Sequence, residues 1–141
     1  MARPKLLCVN DDASWQGYYK RLLGPVGYDV ITVSTSVQAI ELLRNLYNVG
    51  AIVLNYEMPG QHGNEIAVAL KVSRPRLPII IVSSCESVVQ DAFQFVDGAV
   101  LRTSSNKDVT WRLRQMLEDL IIEEVEVAND IDMHNCADRA S

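Results

Sequence analysis

Only three cysteines occur in the 141 residues, Cys8, Cys85 and Cys136. The number is odd and no two have metal-ligand spacing, so free thiols fit better than a disulfide framework. A reduced, cytoplasmic setting is expected. No apolar run approaches the roughly 20 residues that a membrane-spanning helix needs. The opening Met1-Ala2-Arg3-Pro4-Lys5 has no apolar stretch of the kind that marks a signal peptide. Basic residues are also scarce. There are 13 Lys and Arg against 18 Asp and Glu, a net charge of -5, which argues against non-specific binding to nucleic acid or an anionic membrane. Glycine is absent from Asn10 to Gln16, so no glycine-rich phosphate loop follows the first apolar run.

What is present fits one globular domain. Hydrophobic residues make up 48% and charged residues 22%, ordinary values for a chain with a single core. Short apolar runs alternate five times with stretches of helical spacing. Leu6-Leu7-Cys8-Val9 reads as a buried strand, and Trp15, Tyr19, Leu22, Leu23 and Val26 then recur as one helix face. Gly24-Pro25 and Gly27 end that helix. Tyr28 to Val33 is β-branched and reads as a second strand. Ser34, Thr35 or Ser36 can cap a helix with the stripe Ala39, Ile40, Leu43, Leu46 and Tyr47. Gly50 is expected to break it before a third strand, Ala51 to Leu54. After the Met58-Pro59-Gly60 turn comes a helix anchored by Ile66, Ala69 and Leu70. Ile79 to Val82 is the fourth strand. Val88, Val89, Ala92 and Phe93 mark a short helix, and Gly98 to Leu101 a fifth strand. The last helix carries Val109, Leu113, Met116, Leu117, Leu120 and Ile121 on one side. Alternating β and α elements with continuous apolar strands imply a parallel sheet covered on both faces.

In such sheets ligands bind beyond the carboxyl ends of the strands, where strand order reverses. The residues leaving the strands are Asn10-Asp11-Asp12, Asn55-Tyr56-Glu57, Ser83-Ser84 and Arg102-Thr103-Ser104. They combine carboxylates, hydroxyls and a cation.

The segments "LLCVNDDASW", "AIVLNYEMPGQHGNEIA", "PIIIVSS" and "VDGAVLRTSS" resemble the signature segments of bacterial response-regulator receiver domains, in the right order, over residues 4 to 125. The resemblance implies a five-stranded, doubly wound, flavodoxin-like α/β fold, (βα)5, with strand order 2-1-3-4-5. It implies a receiver-like domain over 1–126 with an acidic tail at 127–141, and a role in two-component signalling or a phosphorelay. The family's chemistry uses two acids after strand one to help hold Mg2+, and an aspartate after strand three to attack phosphorus. A Ser or Thr after strand four contacts the phosphoryl group, and a lysine after strand five balances its charge. Here Asn10-Asp11 aligns with the acidic pair, a shift to Asp11-Asp12 remaining open. Asn55 falls on the phosphoacceptor, Ser83 on the hydroxyl, and Arg102 on the lysine.

An amide has no anionic oxygen to attack phosphorus, so no aspartyl phosphate is expected at Asn55. Asn10, Asp11, Asp12 and Glu57 are left as a vestigial acidic pocket. Amides at 10 and 55 remove two charges that Mg2+ favours, so no resident cofactor is expected, and Asp11 and Asp12 are left to hold Mg2+ weakly. Arg102 is expected to pair with Asp11. The plainer reading of Asp11-Asp12 is a turn and helix cap. Cys8 reads as core, Cys85 as an inert small residue, and His62 and His134 as solvated.

Trp111 lies off the core stripe of the last helix, with Ile122 on the same outer side and Val125 nearby. These are candidate interface residues for a signalling protein or for a homodimer through the fourth helix, fifth strand and fifth helix. The expected function is a stand-alone, phosphorylation-independent binding module, not an enzyme, with no nucleic acid and no membrane. Two alternatives stay open. One is a receiver switched by metal or anion binding, or by phosphate on Ser83. The other is a small flavodoxin-like enzyme, for which nothing beyond the fold speaks.

Overall fold

A computed structural model describes residues 3–92, 94, 96–102 and 108–121. Five strands, β1 (Lys5–Val9), β2 (Asp29–Val33), β3 (Val49–Asn55), β4 (Ile79–Ser83) and β5 (Gly98–Leu101), alternate with helices. The helices are α1 (Ala13–Leu23), α2 (Ser36–Asn45), α3 (Gly63–Ser73), α4 (Glu86–Ala92) and α5 (108–121). All strands are parallel, in the order β2-β1-β3-β4-β5.

The continuous apolar strands have a direct consequence. Successive side chains point to opposite faces, so each strand feeds two cores. Leu7, Val9, Ile52, Leu54, Ile79 and Ile81 pack with Ala39 and Leu43 of α2 and with Ile66, Ala67 and Leu70 of α3. Leu6, Cys8, Val53, Ile80, Val82 and Val100 face the other way. There they meet Tyr19 and Leu23 of α1 and Val109, Leu113 and Leu117 of α5. Full burial of each such aliphatic side chain is worth about 1.5–3 kcal/mol.

Several expected stripes are corrected. α1 stops at Leu23, where the Gly24 amide bonds to Lys20 O, and Val26 lies beyond it, exposed. α2 stops at Asn45. Tyr47 is 78% exposed and lies under the Arg74 guanidinium, 4.7 Å from ring centroid to Cζ. Gly50 sits inside β3 and does not break a helix. In α3 the buried set is Gly63, Ile66, Ala67 and Leu70, the i, i+3, i+4, i+7 pattern, which turns Ala69 outward. Phe93 lies outside the described residues.

Long polar side chains close the ends of elements. Arg74 donates to Leu43 O and Leu46 O, the carbonyls a helix leaves open at its C-terminus. Asp97 accepts from the Ile79 amide at 2.8 Å and from Lys71 Nζ at 2.5 Å, fixing the start of β4. Among the described residues no helix is long and apolar enough to cross a membrane.

Candidate functional site

The strand order reverses between β1 and β3, so Asn10 and Asn55 leave neighbouring strands side by side. Both are buried, 2% and 3% exposed, and Ser83 at the end of β4 is fully buried. Polar groups buried this deeply must be hydrogen-bonded or they cost stability.

Asn55 Nδ2 donates to Glu57 O at 3.1 Å and, at 3.5 Å, to Asn10 Oδ1. Asn10 Oδ1 also accepts from the Asp12 amide at 2.9 Å. Gln16 Nε2 anchors the turn by donating to Asn10 O at 2.5 Å. The amide at position 55 thus presents N–H groups to a lining of carbonyl oxygens.

Glu57 reaches across to β4. Its Oε1 accepts from Ser83 Oγ at 2.5 Å, from the Ser84 amide at 3.0 Å and from Ser84 Oγ at 3.2 Å. Ser83 Oγ in turn accepts from the Cys85 amide at 3.0 Å. Two buried acceptors, Asn55 Oδ1 and Glu57 Oε2, have no hydrogen-bond partner among the described residues, and a bound water has the O–H groups such atoms need.

The acidic residues after β1 divide their roles. Asp12 is the N-cap of α1, accepting from the Ser14 and Trp15 amides, which is the helix-cap reading. Asp11 is exposed. Arg102 does not pair with Asp11 or with any other described acid. Its guanidinium lies 5.7 Å from the centre of the Trp15 ring, a cation–π placement, while its amide donates to Ser83 O at 2.6 Å. No cluster of three or more His, Cys, Asp or Glu suited to a metal occurs among the described residues.

Burial pushes the Cys8 thiol up to about 12, with Lys20 opposing slightly, so Cys8 is inert core. Tyr19 is raised as well, first by burial and then by Cys8, with Arg102 opposing. Cys85 stands at the surface just beyond β4. It is exposed, and its thiol is lowered chiefly by the Ser87 hydroxyl, whose Oγ lies 3.1 Å from Sγ. His62 is exposed and is the N-cap residue of α3, where its side chain makes no capping hydrogen bond.

The structure therefore brings together Asn10, Asn55, Glu57 and Ser83, and leaves Asp11, Asp12 and Arg102 at the margin. Sequence reading missed Ser84 and Trp15 as partners. Their roles depend on side-chain reach across strands, for which the linear order carries no signal. Trp111 is 63% exposed on α5, and Ile122 and Val125 lie outside the described residues.

An open, parallel, doubly wound sheet in this order, with a polar site at its switch point, defines a flavodoxin-like α/β domain. A family model, the response regulator receiver domain, matches residues 6–102, and the chain belongs to that family. It is a receiver domain of two-component signalling, a signalling module rather than a classical enzyme.

Among similar curated proteins, the luminescence regulatory protein LuxO of Vibrio campbellii is 34% identical over 80 residues, covering 57% of this chain and 17% of LuxO. The response regulator MprA of Mycobacterium ulcerans is 26% identical over 132 residues, covering 92% and 56%. The chain thus spans less than two thirds of these relatives. Of solved structures, the response regulator TrrA of Thermotoga maritima in complex with Mg(2+)-BeF superposes with a TM-score of 0.68 at 20% identity, covering 80% of this chain and 98% of TrrA. That likeness speaks to the fold alone.

Proposed function

We propose that this receiver domain acts as a phosphorylation-independent protein-binding module in the cytoplasm. The observation that carries the reading is the pairing of Asn55 with Glu57. The position that would supply a nucleophile is an amide donating its N–H groups to Asn10 Oδ1 and Glu57 O. The hydroxyl that would meet a phosphoryl group, Ser83, already donates to the Glu57 carboxylate. The domain thus carries an internal anion against the end of β4, in the same chain that lacks the acceptor.

The residues present do not fit a resident Mg2+. Asn55 turns its N–H donors toward Asn10 Oδ1 and Glu57 O, Asp12 is committed to capping α1, and the unpartnered buried oxygens, Asn55 Oδ1 and Glu57 Oε2, supply one carboxylate between them. Mg2+ requires near-octahedral oxygen ligation and favours carboxylates. Phosphate on Ser83 is disfavoured too. Its hydroxyl is fully buried and bonded to a carboxylate, which repels an incoming phosphate.

Trp15 reports on this site through Arg102. Mg2+ with beryllofluoride, a phosphoryl analogue, is expected to leave the fluorescence of a Trp111→Phe variant, and its amide shifts at Ser83 and Ser84, unchanged. A saturable change at those positions defeats the reading and restores the alternative of a metal- or anion-switched receiver.

The partner surface is assigned to the side of α5 that carries Trp111, available to a signalling protein or to a second copy. Sedimentation tests the second. Self-association that is lost in Trp111→Ala supports a homodimer. A monomer at all concentrations removes it and leaves a different protein as the partner.

A further inference from the structure

At the opposite end of the sheet from Asn55, a groove of about 470 Å³ opens. Tyr47, Val49 and Gly50 form one wall, the 74–78 turn the other, and Ile121 lies at its rim. Gly50 has no side chain to fill the space. A Cβ there would lie at ordinary contact distance, 3.6 Å, from Ile121 Cδ1. Pro75 and Pro78 contribute no backbone N–H to the wall, so the lining is largely apolar.

The charges at the groove are both positive. Arg74 is committed to Leu43 O, Leu46 O and the Tyr47 ring. Arg76 is exposed and makes no hydrogen bond or ion pair with a described residue. The groove therefore suits a segment that is apolar and acidic together.

This chain contains one, and it begins at the rim. Ile121 is the last described residue of α5. The twelve residues that follow run Ile-Glu-Glu-Val-Glu-Val-Ala-Asn-Asp-Ile-Asp-Met, from Ile122 to Met133. Glu123, Glu124, Glu126, Asp130 and Asp132 alternate with apolar residues, and no Lys or Arg occurs before Arg139. Tethering at the rim gives such a segment an effective concentration on the order of millimolar, which a separate partner at micromolar concentration does not match.

We propose that residues 122–133 of the same chain are the occupant of this groove. The groove offers Val49, Leu77 and Tyr47 to the apolar residues of that segment and Arg76 to its acids. The inference is independent of whether the domain accepts phosphate, because the groove is at the other end of the strands.

The test uses the full chain with Cys85→Ser, which leaves Cys136 as the thiol to label, since Cys8 is buried. A nitroxide on Cys136 is expected to broaden the amide signals of Val49, Gly50 and Leu77, independently of protein dilution. Arg76→Glu is expected to lower the docked-to-free ratio about two- to fivefold, the scale of one exposed ion pair. Absence of broadening overturns the proposal. So does broadening of isotope-labelled chains by nitroxide on other chains in a mixed sample, which assigns the groove to a second copy. A ratio unchanged by Arg76→Glu overturns the charge pairing and with it the assignment of this acidic segment.

Discussion

The Asn55→Asp variant is expected to gain one phosphoryl group from a small phosphodonor, and to do so only when Mg2+ is present. In the native chain the Asn55 amide nitrogen faces two acceptors, Asn10 Oδ1 and Glu57 O. Aspartate puts an oxygen in its place, facing Asn10 Oδ1, which keeps the Asp12 amide as a donor, and Glu57 O, which loses the Asn55 donor. Losing those bonds costs about 1–3 kcal/mol, and a cation among the oxygens recovers it. The variant is therefore less stable than the native chain without Mg2+ and is stabilised by adding it. The native chain shows no such response. The same substitution creates the nucleophile, whose product is an acyl phosphate. Glu57 still presents a negative charge at Ser83, so adding Glu57→Ala is expected to speed the modification further. Intact-mass kinetics with and without Mg2+ read all of this. An Asn55→Asp chain that stays unmodified under every condition shows that more than one residue disarms the pocket.

Gly63→Ala is expected to destabilise the domain by roughly 1–3 kcal/mol, the usual cost of overpacking. Gly63 is buried at the first position of α3. A Cβ there would lie 2.5 Å from Tyr56 Cδ2 and 2.9 Å from Tyr56 Cγ, atoms near the base of the ring that cannot swing away cheaply. Glycine-to-alanine in a helix interior gains about 1 kcal/mol of propensity, and a first-turn position realises less of it, so the clash prevails. Tyr56 lies between Asn55 and Glu57 in the chain, so relief of the clash is also expected to disturb the Glu57–Ser83 bond. Denaturant unfolding reads the first effect and the Ser83 and Ser84 amide shifts read the second. A stability equal to or above that of the native chain contradicts the packing argument.

Much of the fold was legible because its signal is local. Continuous apolar strands separated by helical stripes dictate a parallel sheet with two covered faces, whereas the order β2-β1-β3-β4-β5 was expected only from the family resemblance. The errors fell at element ends. Tyr47 has the spacing of a core residue, yet the chain leaves α2 before reaching it and Arg74 covers its ring. Gly50 reads as a helix breaker but lies within a strand. Ends are set by tertiary partners, and those have no fixed distance along the chain.

The site divides in the same way. Asn10, Asn55 and Ser83 were placed from strand ends, since strand register alone brings them together. Arg102 was expected on Asp11 and instead lies over Trp15. The long side chain chooses among several neighbours, and an exposed ion pair to Asp11 would have been worth no more than about 1 kcal/mol. The reach of Glu57 to Ser83 and Ser84 had no sequence signal beyond its carboxylate two residues after Asn55.

The measurement that bears most directly on a phosphorylation-independent receiver is the intact mass of the native chain after incubation with Mg2+ and a small phosphodonor. The expected spectrum is that of the unmodified protein, because Asn55 has no attacking oxygen and Ser83 is bonded to Glu57. A stoichiometric phosphoryl adduct on the native chain contradicts the account, and the residue that carries it becomes the switch.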